Sequence, residues 1–382
     1  MRYPARMKSI LLGGWVGMAV GLWLAVAVPV QAGSDSHCDT PIRVLLKTSA
    51  EPFGLQVDGR SHRFSRVEGQ SLIRVDGSRV AAWRGPSGKY RVAGIAVNGR
   101  VEIIPLSGRL AVIAHVPLNE YVEGALVGEI PALWAPEALR AQAVVSRTYA
   151  LHQKAQHARD PYDVSATTTH QVYKGSGAPS SIRAAVRDTG CRVLTHGGRP
   201  ILAVFHSAAG GRTASAQEVW GRDLSYLVSR EVDGEDDSPD TYWRLALSKS
   251  TLEEVLRSQG HRVGGVKGLR VSSRSSSGRV LRLKVRGSRG QVELSGVGLR
   301  NALGPSTLKS TLFELREGED GHFVLIGSGR GHGVGMSQWG ARALARRGVS
   351  YPQILSGFYP GTRLENWSSR ALTARGVSGG LR

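Results

Sequence analysis

Residues 118–131, LNEYVEGALVGEIP, mark the point at which the chain changes from strands to helices. Before this stretch, apolar and polar residues alternate. Within it and after Pro136, apolar residues recur every three or four positions. Period two is typical of strands and a period near 3.6 of helices. The pattern therefore predicts helices over residues 118–126 and from 136 to about 157, with Pro136 in a first turn.

The flanking sequence predicts an α+β fold that is rich in strands. Upstream, short alternating runs separated by glycines predict a β-rich segment over residues 33–116, with strands at 42–46, 90–92, 101–104 and 110–114. Downstream, the pattern predicts a short helix at 181–188 and strands at 193–194 and 202–205. A helix at 250–259 followed by basic strands near 281–285 predicts a second, smaller lobe over 245–300 that forms a cleft with the rest. The Ser, Gly and Arg-rich residues 368–382 predict a flexible tail.

The amino terminus predicts export from the cytoplasm. Arg2, Arg6 and Lys8 precede an apolar run over residues 10–30, and small residues follow up to Ala32. This arrangement is typical of a signal peptide over residues 1–32. The run is also about as long as the roughly 20 residues of a membrane-spanning helix, so an uncleaved anchor is the alternative. Both interpretations place the working part in the periplasm or cell wall.

The charge favours a polyanionic partner. The chain carries a formal charge of +20, and removal of the three bases of the signal segment leaves +17. Export separates the chain from most nucleic acid, so we expect no nucleic-acid partner and consider acidic envelope polymers instead. Two cysteines, Cys38 and Cys191, exclude a disulfide-rich scaffold and leave open whether they pair with each other.

Glu129 is the acid that stands out in the helical stretch. It follows four residues of low polarity and precedes Ile130 and Pro131, and burial of this kind raises a carboxyl pKa. A raised pKa suits a general acid that works near neutral pH. Its neighbours Glu120, Glu123 and Glu137 fit solvated charges on a helix face.

Two further blocks carry candidate binding residues. Residues 205–213, FHSAAGGRT, place His206 and Ser207 before paired glycines, and Tyr226 follows. Because the Gly-x-Ser-x-Gly pattern is absent around Ser207, a binding loop is favoured over a nucleophile. Residues 327–341, GSGRGHGVGMSQWGA, hold the highest density of glycines and candidate binding side chains in the chain. Glycines on both sides of His332 allow backbone to approach a ligand closely, and we expect Gln338, at the start of a helix, to face the same groove. Ser337 is a further candidate binding residue.

The three blocks, in this order, resemble the SpoIID/LytB domain family of lytic transglycosylases and amidase enhancers. The resemblance spans roughly residues 109–360, and GHGVGMSQ at 331–338 and EIP at 129–131 carry most of it. It implies a SpoIID-like catalytic domain over 117–367 that cleaves the bond between N-acetylmuramic acid and N-acetylglucosamine. It also implies that Glu129 is the catalytic acid. Arg147, His206, His332, Ser337 and Gln338 match positions near that acid.

One departure from the family concerns metal binding. Some members carry cysteines before the Gln-Val-Tyr motif, whereas here His170 stands alone before Gln171. A closed zinc site needs four ligands. We therefore expect no metal and no other cofactor.

The reaction expected from the resemblance needs one acid. Glu129 protonates the leaving oxygen, and the sugar's own 6-hydroxyl then closes a 1,6-anhydro ring. One rival is a hydrolase, which needs a second carboxylate from residues 231–240; Glu231, Asp233, Glu235 and Asp236 fit solvated loop charges better. The other rival is a non-catalytic wall-binding protein that stimulates a cell-wall amidase.

The charge generates a first prediction: binding to isolated wall sacculi weakens as salt rises. Screening acts over about 8 Å at physiological ionic strength, so attraction between the +17 chain and an anionic wall falls with added salt. A pull-down from sacculi at increasing NaCl measures this. Binding that does not change with salt would contradict the prediction and indicate sugar stacking on Trp134, Trp220 or Trp339.

Overall fold

The computed structural model describes residues 40–57, 59–318 and 321–367. The predicted signal segment 1–32 and tail 368–382 lie outside these residues. Within the described part, strands hold 36% of residues and helices 25%, so the predicted β-rich α+β class is confirmed. No helix in this part combines the length and hydropathy needed to cross a bilayer.

The amino-terminal segment is built from strands. They are β1 (Pro41–Ser49), β2 (Phe53–Val57), β3 (Arg60–Arg66), β4 (Ile73–Val75), β5 (Ser78–Val80), β6 (Trp83–Arg84), β7 (Gly88–Val92), β8 (Ile95–Leu106) and β9 (Arg109–Pro117). The hairpin β8–β9 turns at Ser107 and Gly108, which both have positive φ. A two-residue hairpin loop needs this conformation in order to match the twist of its strands. β1 pairs antiparallel with β9, and β9 leads directly into the first helix. All four predicted strands in this segment are confirmed.

Two helices follow, α1 (Leu118–Glu129) and α2 (Pro136–Gln156). Pro136 occupies the first turn of α2, as predicted. α1 runs three residues beyond its predicted end, and Ile130 closes it in an extended conformation. Glu129 is therefore the last residue of a helix whose inner face lies in the first hydrophobic core, built mainly from β1–β9 and α1.

The middle of the chain contains short elements. They are β10 (Val164–Ser165), α3 (Ser180–Asp188), β11 (Arg192–His196), β12 (Arg199–Pro200), β13 (Phe205–His206) and α4 (Ala216–Trp220). The predicted strand at 202–205 is wrong except at its end. The amides of Ala203 and Val204 bond to carbonyls two residues earlier, so the chain turns locally where a strand was expected. Cys191, just before β11, is disulfide-bonded; Cys38, the only other cysteine in the sequence, lies outside the described residues.

Residues 243–327 form a unit around their own core, called here the third core unit. It contains β14 (Trp243–Leu247), α5 (Lys249–Ser258), β15 (Val266–Arg274), β16 (Val280–Gly287), β17 (Gly290–Ser295), α6 (Gly296–Leu303), β18 (Phe313–Glu317) and β19 (Phe323–Gly327). Two three-stranded antiparallel sheets, β15-β16-β17 and β14-β19-β18, contribute to this core. The predicted lobe at 245–300 falls within this unit, and its exact limits stay a prediction.

The last elements are β20 (Met336–Ser337), α7 (Gln338–Arg346), α8 (Tyr351–Phe358) and β21 (Arg363–Asn366). β20 pairs in parallel with β13, so that His206 lies beside Ser337. α2, α7 and α8 line the second core together with residues 194–232. The fold thus brings three parts of the chain to one region: the end of α1, the chain that follows β13, and the start of α7.

Candidate functional site

Glu129 lies half-buried at the carboxyl end of α1. Its Oε1 accepts a hydrogen bond from the backbone N–H of Val172 at 2.8 Å, and no described residue donates to Oε2. Burial raises the pKa of Glu129, and the hydrogen bond from Val172 opposes this rise in part. A carboxyl held this way keeps one oxygen free and is protonated at a higher pH than an exposed glutamate.

Close backbone packing makes the contact between Glu129 and Val172. A Cβ on Gly124 or Gly128 would lie closer than 3.0 Å to atoms of residues 172–175, so the absence of side chains lets this segment lie on α1. Tyr121 stacks on Tyr173 with ring centroids 5.4 Å apart. These contacts fix the segment that presents the Val172 N–H to the carboxylate.

The start of α7 meets Glu129 from the other side. Gln338 is the first residue of α7, and its Nε2 donates to the main-chain oxygen of Glu129 at 3.3 Å. The same Nε2 lies 3.5 Å from Oε1 of Gln142 on α2. The structure therefore joins Gln338 to Glu129 across 209 sequence positions, although through the backbone of Glu129 and not its carboxylate.

Ser337 is a buried helix cap. Its hydroxyl accepts from the amide of Gly340 at 3.1 Å and donates to Glu235. Ser207 takes part through its carbonyl, which accepts from the amide of Trp339 at 3.0 Å. Both serines thus hold the start of α7 in place. Ser337 has no exposed surface, and its part in substrate binding stays a prediction.

His206 and His332 lie side by side, with ring centroids 5.7 Å apart. Nδ1 of His206 bonds to the carbonyl of Val334 at 3.1 Å, whereas its buried Nε2 has no partner among the described residues. Burial, followed by the nearby Arg300, lowers the pKa of His332 to about 4. Burial also lowers the pKa of His206 well below its ordinary value. Both rings are therefore neutral near pH 7, and Nε2 of His206 is the ring nitrogen that is left without a hydrogen-bond partner.

Partly exposed tryptophans lie close to Glu129 in the sequence and against His332 in the structure. Trp134, five residues after Glu129, meets Trp339 edge-on with centroids 5.1 Å apart, and the Arg342 guanidinium lies 4.8 Å from the Trp339 ring centroid. Trp220 packs 5.3 Å from His332 and is 39% exposed. Amphipathic rings at such positions suit the apolar faces of sugars.

Glu235 is the residue that sequence reasoning placed wrongly. It was expected among solvated loop charges, but it is 6% exposed. Its oxygens accept from the amides of Ala209 and Gly210, each at 2.8 Å, and from the Ser337 hydroxyl. The paired glycines 210–211 were the one signal in the sequence for a buried acid, because a turn at glycines leaves backbone amides free to bind a carboxylate. The signal does not specify which carboxylate binds.

Arg147 and Tyr226 do not lie with the other predicted residues. Arg147 is fully buried and donates to Asn119 Oδ1 at 3.2 Å, to the Arg192 carbonyl at 3.1 Å and to the Val186 carbonyl at 3.3 Å. It joins α1, α3 and β11, and the substrate-binding role that the resemblance implies for it stays a prediction. Tyr226 is 8% exposed in the second core and packs against His196.

The described residues contain no group of three or more His, Cys, Asp and Glu side chains suited to a metal. His170 accepts at Nδ1 from the Ser165 amide at 3.2 Å. Burial lowers the pKa of His170, as does nearby His157. The absence of a bound metal stays a prediction.

Two regions of the chain match known protein families. Residues 107–196, which hold Glu129 and Val172, match the family described as Stage II sporulation protein (SpoIID). Residues 216–335, which include the third core unit, match a domain of unknown function.

Curated relatives extend this match over most of the chain. The stage II sporulation protein D of Bacillus amyloliquefaciens is 30% identical over 266 residues, 65% of this chain and 74% of the relative. An uncharacterised protein of Brachyspira hyodysenteriae is 31% identical over 71% of this chain and 73% of the relative. An amidase enhancer of Bacillus subtilis is 30% identical over 63% of this chain, but over 40% of its own length. The chain belongs to the SpoIID/LytB family, as the resemblance predicted.

The close approach at Gly128 generates a second prediction. Gly128→Ala places a methyl against the Val172 carbonyl, so we expect it to lower the free energy of unfolding by roughly 1–3 kcal/mol and to speed hydrogen exchange at the Val172 amide. Urea unfolding and exchange NMR measure these changes.

Gly357→Ala is the matched control, because Gly357 also lies in a helix, α8, and, apart from its chain neighbours and the backbone of α8 itself, no atom lies within 4 Å of the position that its added methyl group would take. That change is expected to be neutral or to stabilise by up to about 1 kcal/mol. Equal stability and equal Val172 protection in both variants would contradict the packing described for α1.

Proposed function

We propose that this chain is a peptidoglycan lytic transglycosylase that uses Glu129 as its single acid and base. The observation that carries the proposal is the half-buried Glu129 carboxyl, with a raised pKa and one free oxygen. The family assignment supports a role at the cell wall, and the chemistry of the carboxyl supports the particular reaction.

Protonated Glu129 can serve as the general acid. It donates its proton to the oxygen that joins C1 of N-acetylmuramic acid to N-acetylglucosamine, and the C1–O bond breaks. The carboxylate that remains takes the proton of the 6-hydroxyl as O6 bonds to C1. The products are a 1,6-anhydro-muramyl end and a new N-acetylglucosamine end, and no water is consumed. One group that gives and then takes a proton is sufficient for both steps.

Three acids of residues 231–240 are held by other partners, which supports a single-carboxylate mechanism. A hydrolase on this site needs a second carboxylate that activates water or attacks C1. Glu235 is occupied by backbone amides and Ser337. Asp240 pairs with Lys309 at 2.6 Å, and Asp237 with Arg342 at 2.8 Å. No described contact brings an acid of residues 231–240 to the Glu129 carboxylate.

The surrounding residues suit a sugar polymer. The unpartnered His206 Nε2 is a hydrogen-bond acceptor that suits a hydroxyl or an acetamido N–H group, and the partly exposed rings of Trp134, Trp339 and Trp220 offer apolar surface for sugars. We propose that peptidoglycan strands are the substrate and that the chain acts in the periplasm or cell wall, as the signal segment predicts.

A second function is favoured by one relative. Because an amidase enhancer matches 63% of this chain, we also consider a wall-binding protein that stimulates an amidase without cutting glycan. This function needs no proton donor, so it leaves the raised pKa of Glu129 without a role.

The third prediction tests the reaction. Glu129→Gln keeps the shape of the side chain and removes the proton, so we expect glycan cleavage to fall at least about 100-fold while the melting temperature and wall binding change little. Mass spectrometry of digested glycan strands measures both the rate and the chemistry of the new ends.

Glu123→Gln is the matched control. Glu123 lies on the same helix and its pKa is also raised by burial and then by Glu120, so general changes in the charge of α1 are shared. We expect this variant to retain activity. Reducing ends would contradict the transglycosylase in favour of a hydrolase. No new ends from the parent chain would favour the amidase-enhancer function.

A further inference from the structure

We propose that Arg279, which belongs to the third core unit, is a positioning residue. It holds the loop of His206 (residues 206–212) against the loop of His332 (residues 330–335). The Arg279 side chain is 3% exposed and lies in the turn between β15 and β16. The activity readout of this proposal rests on the proposed function, whereas its spectroscopic readout does not.

The guanidinium of Arg279 joins two points of the His206 loop. Nη2 donates to the Ala209 carbonyl at 2.9 Å, and Nη1 donates to the Arg212 carbonyl at 2.9 Å. These carbonyls flank the glycines whose amides bond to Glu235. The planar fork of arginine reaches two separate acceptors at once, which a lysine ammonium does not reproduce.

The other face of the guanidinium lies against the His332 loop. A Cβ on Gly333 would fall within 3.0 Å of three guanidinium atoms of Arg279, and Gly333 has φ of +82°. The position next to His332 thus excludes a side chain for two independent reasons, conformation and space. Arg279 therefore packs between the loops and contacts both.

The turn that carries Arg279 is itself anchored. The Ser277 hydroxyl donates to Glu218 on α4 at 2.7 Å, and the same hydroxyl lies 3.2 Å from Arg279 Nη1. A second link between the third core unit and the His332 loop is the bond from the Gly331 amide to the Lys309 carbonyl at 2.9 Å. The unit is thus fixed to both loops.

The charge of Arg279 acts on the same two rings. Burial is the main cause of the lowered pKa of each histidine, and Arg279 contributes to both. Arg300 also faces His332, His332 acts on His206, and Glu218 and Glu235 face Arg279. A cation fixed beside the pair disfavours a second positive charge, so it keeps the unpartnered His206 Nε2 unprotonated.

The experiment compares Arg279→Gln with Arg279→Lys in the full chain. Selectively ¹⁵N-labelled histidine, assigned with His332→Gln, gives the titration of the rings. Exchange at the Ala209 and Gly210 amides reports the loop, and kcat and KM on glycan strands report activity. We expect Arg279→Gln to raise the pKa of His332, to speed exchange at both amides and to lower kcat about 10- to 100-fold, since small misplacements of reacting groups have effects of this size.

Arg279→Lys distinguishes the effect of the guanidinium's hydrogen bonds from the effect of its charge. If Arg279→Gln does not fold, this variant alone tests the proposal. The lysine retains the charge, so the pKa of His332 stays near the parent value while exchange quickens and kcat falls. Arg282→Gln is the control, because Arg282 lies three residues away on β16 with an exposed side chain. Its amide exchange rates and kcat are expected within about 2-fold of the parent, and the histidine pKa values are expected to be unchanged.

The proposal is overturned if both Arg279 variants match Arg282→Gln in loop exchange and histidine titration. If the parent does not cut glycan, the proposed function fails, and the exchange and titration data alone decide the role of Arg279.

Discussion

The site depends on the hydrogen bond from the Val172 amide to the Glu129 carboxylate. It exists because α1 has no side chains at Gly124 and Gly128, so the backbone of the 171–175 segment lies directly on the helix. The same packing buries the carboxyl enough to raise its pKa. One oxygen is held and the other is left free, which is the arrangement a proton donor needs.

The remaining parts of the site are fixed relative to Glu129 by the start of α7. Gln338 bonds to the Glu129 backbone, while the preceding Ser337 lies beside His206 across the β13–β20 pair. Glu235 holds the loop after His206 against Ser337. Hydrogen bonds thus join segments more than two hundred residues apart, and the buried helix cap at Ser337 contributes to this arrangement.

Local pattern was sufficient to predict α1, α2, α3 and α5, several of the strands and the raised pKa of Glu129, because periodicity and an apolar surround are readable in the sequence. It failed where the outcome depends on distant partners. Glu235 does not differ locally from Asp233 or Asp236, and only the fold delivers the amides that bury it. A family motif gives the position of Arg147 but not the direction of its side chain, which the carbonyls of α3 and β11 determine. Arg279 lies in a serine-rich turn with no motif, far along the chain from the loop it contacts.

The most direct test of this account is the pKa of Glu129 itself. Titration of the chain labelled with ¹³Cδ-glutamate, with the Glu129 resonance assigned by its loss in Glu129→Gln, follows the protonation of this carboxyl by NMR. The account predicts a midpoint above that of the exposed glutamates, because burial outweighs the hydrogen bond from Val172. A midpoint at or below theirs would contradict the assignment of Glu129 as the proton donor.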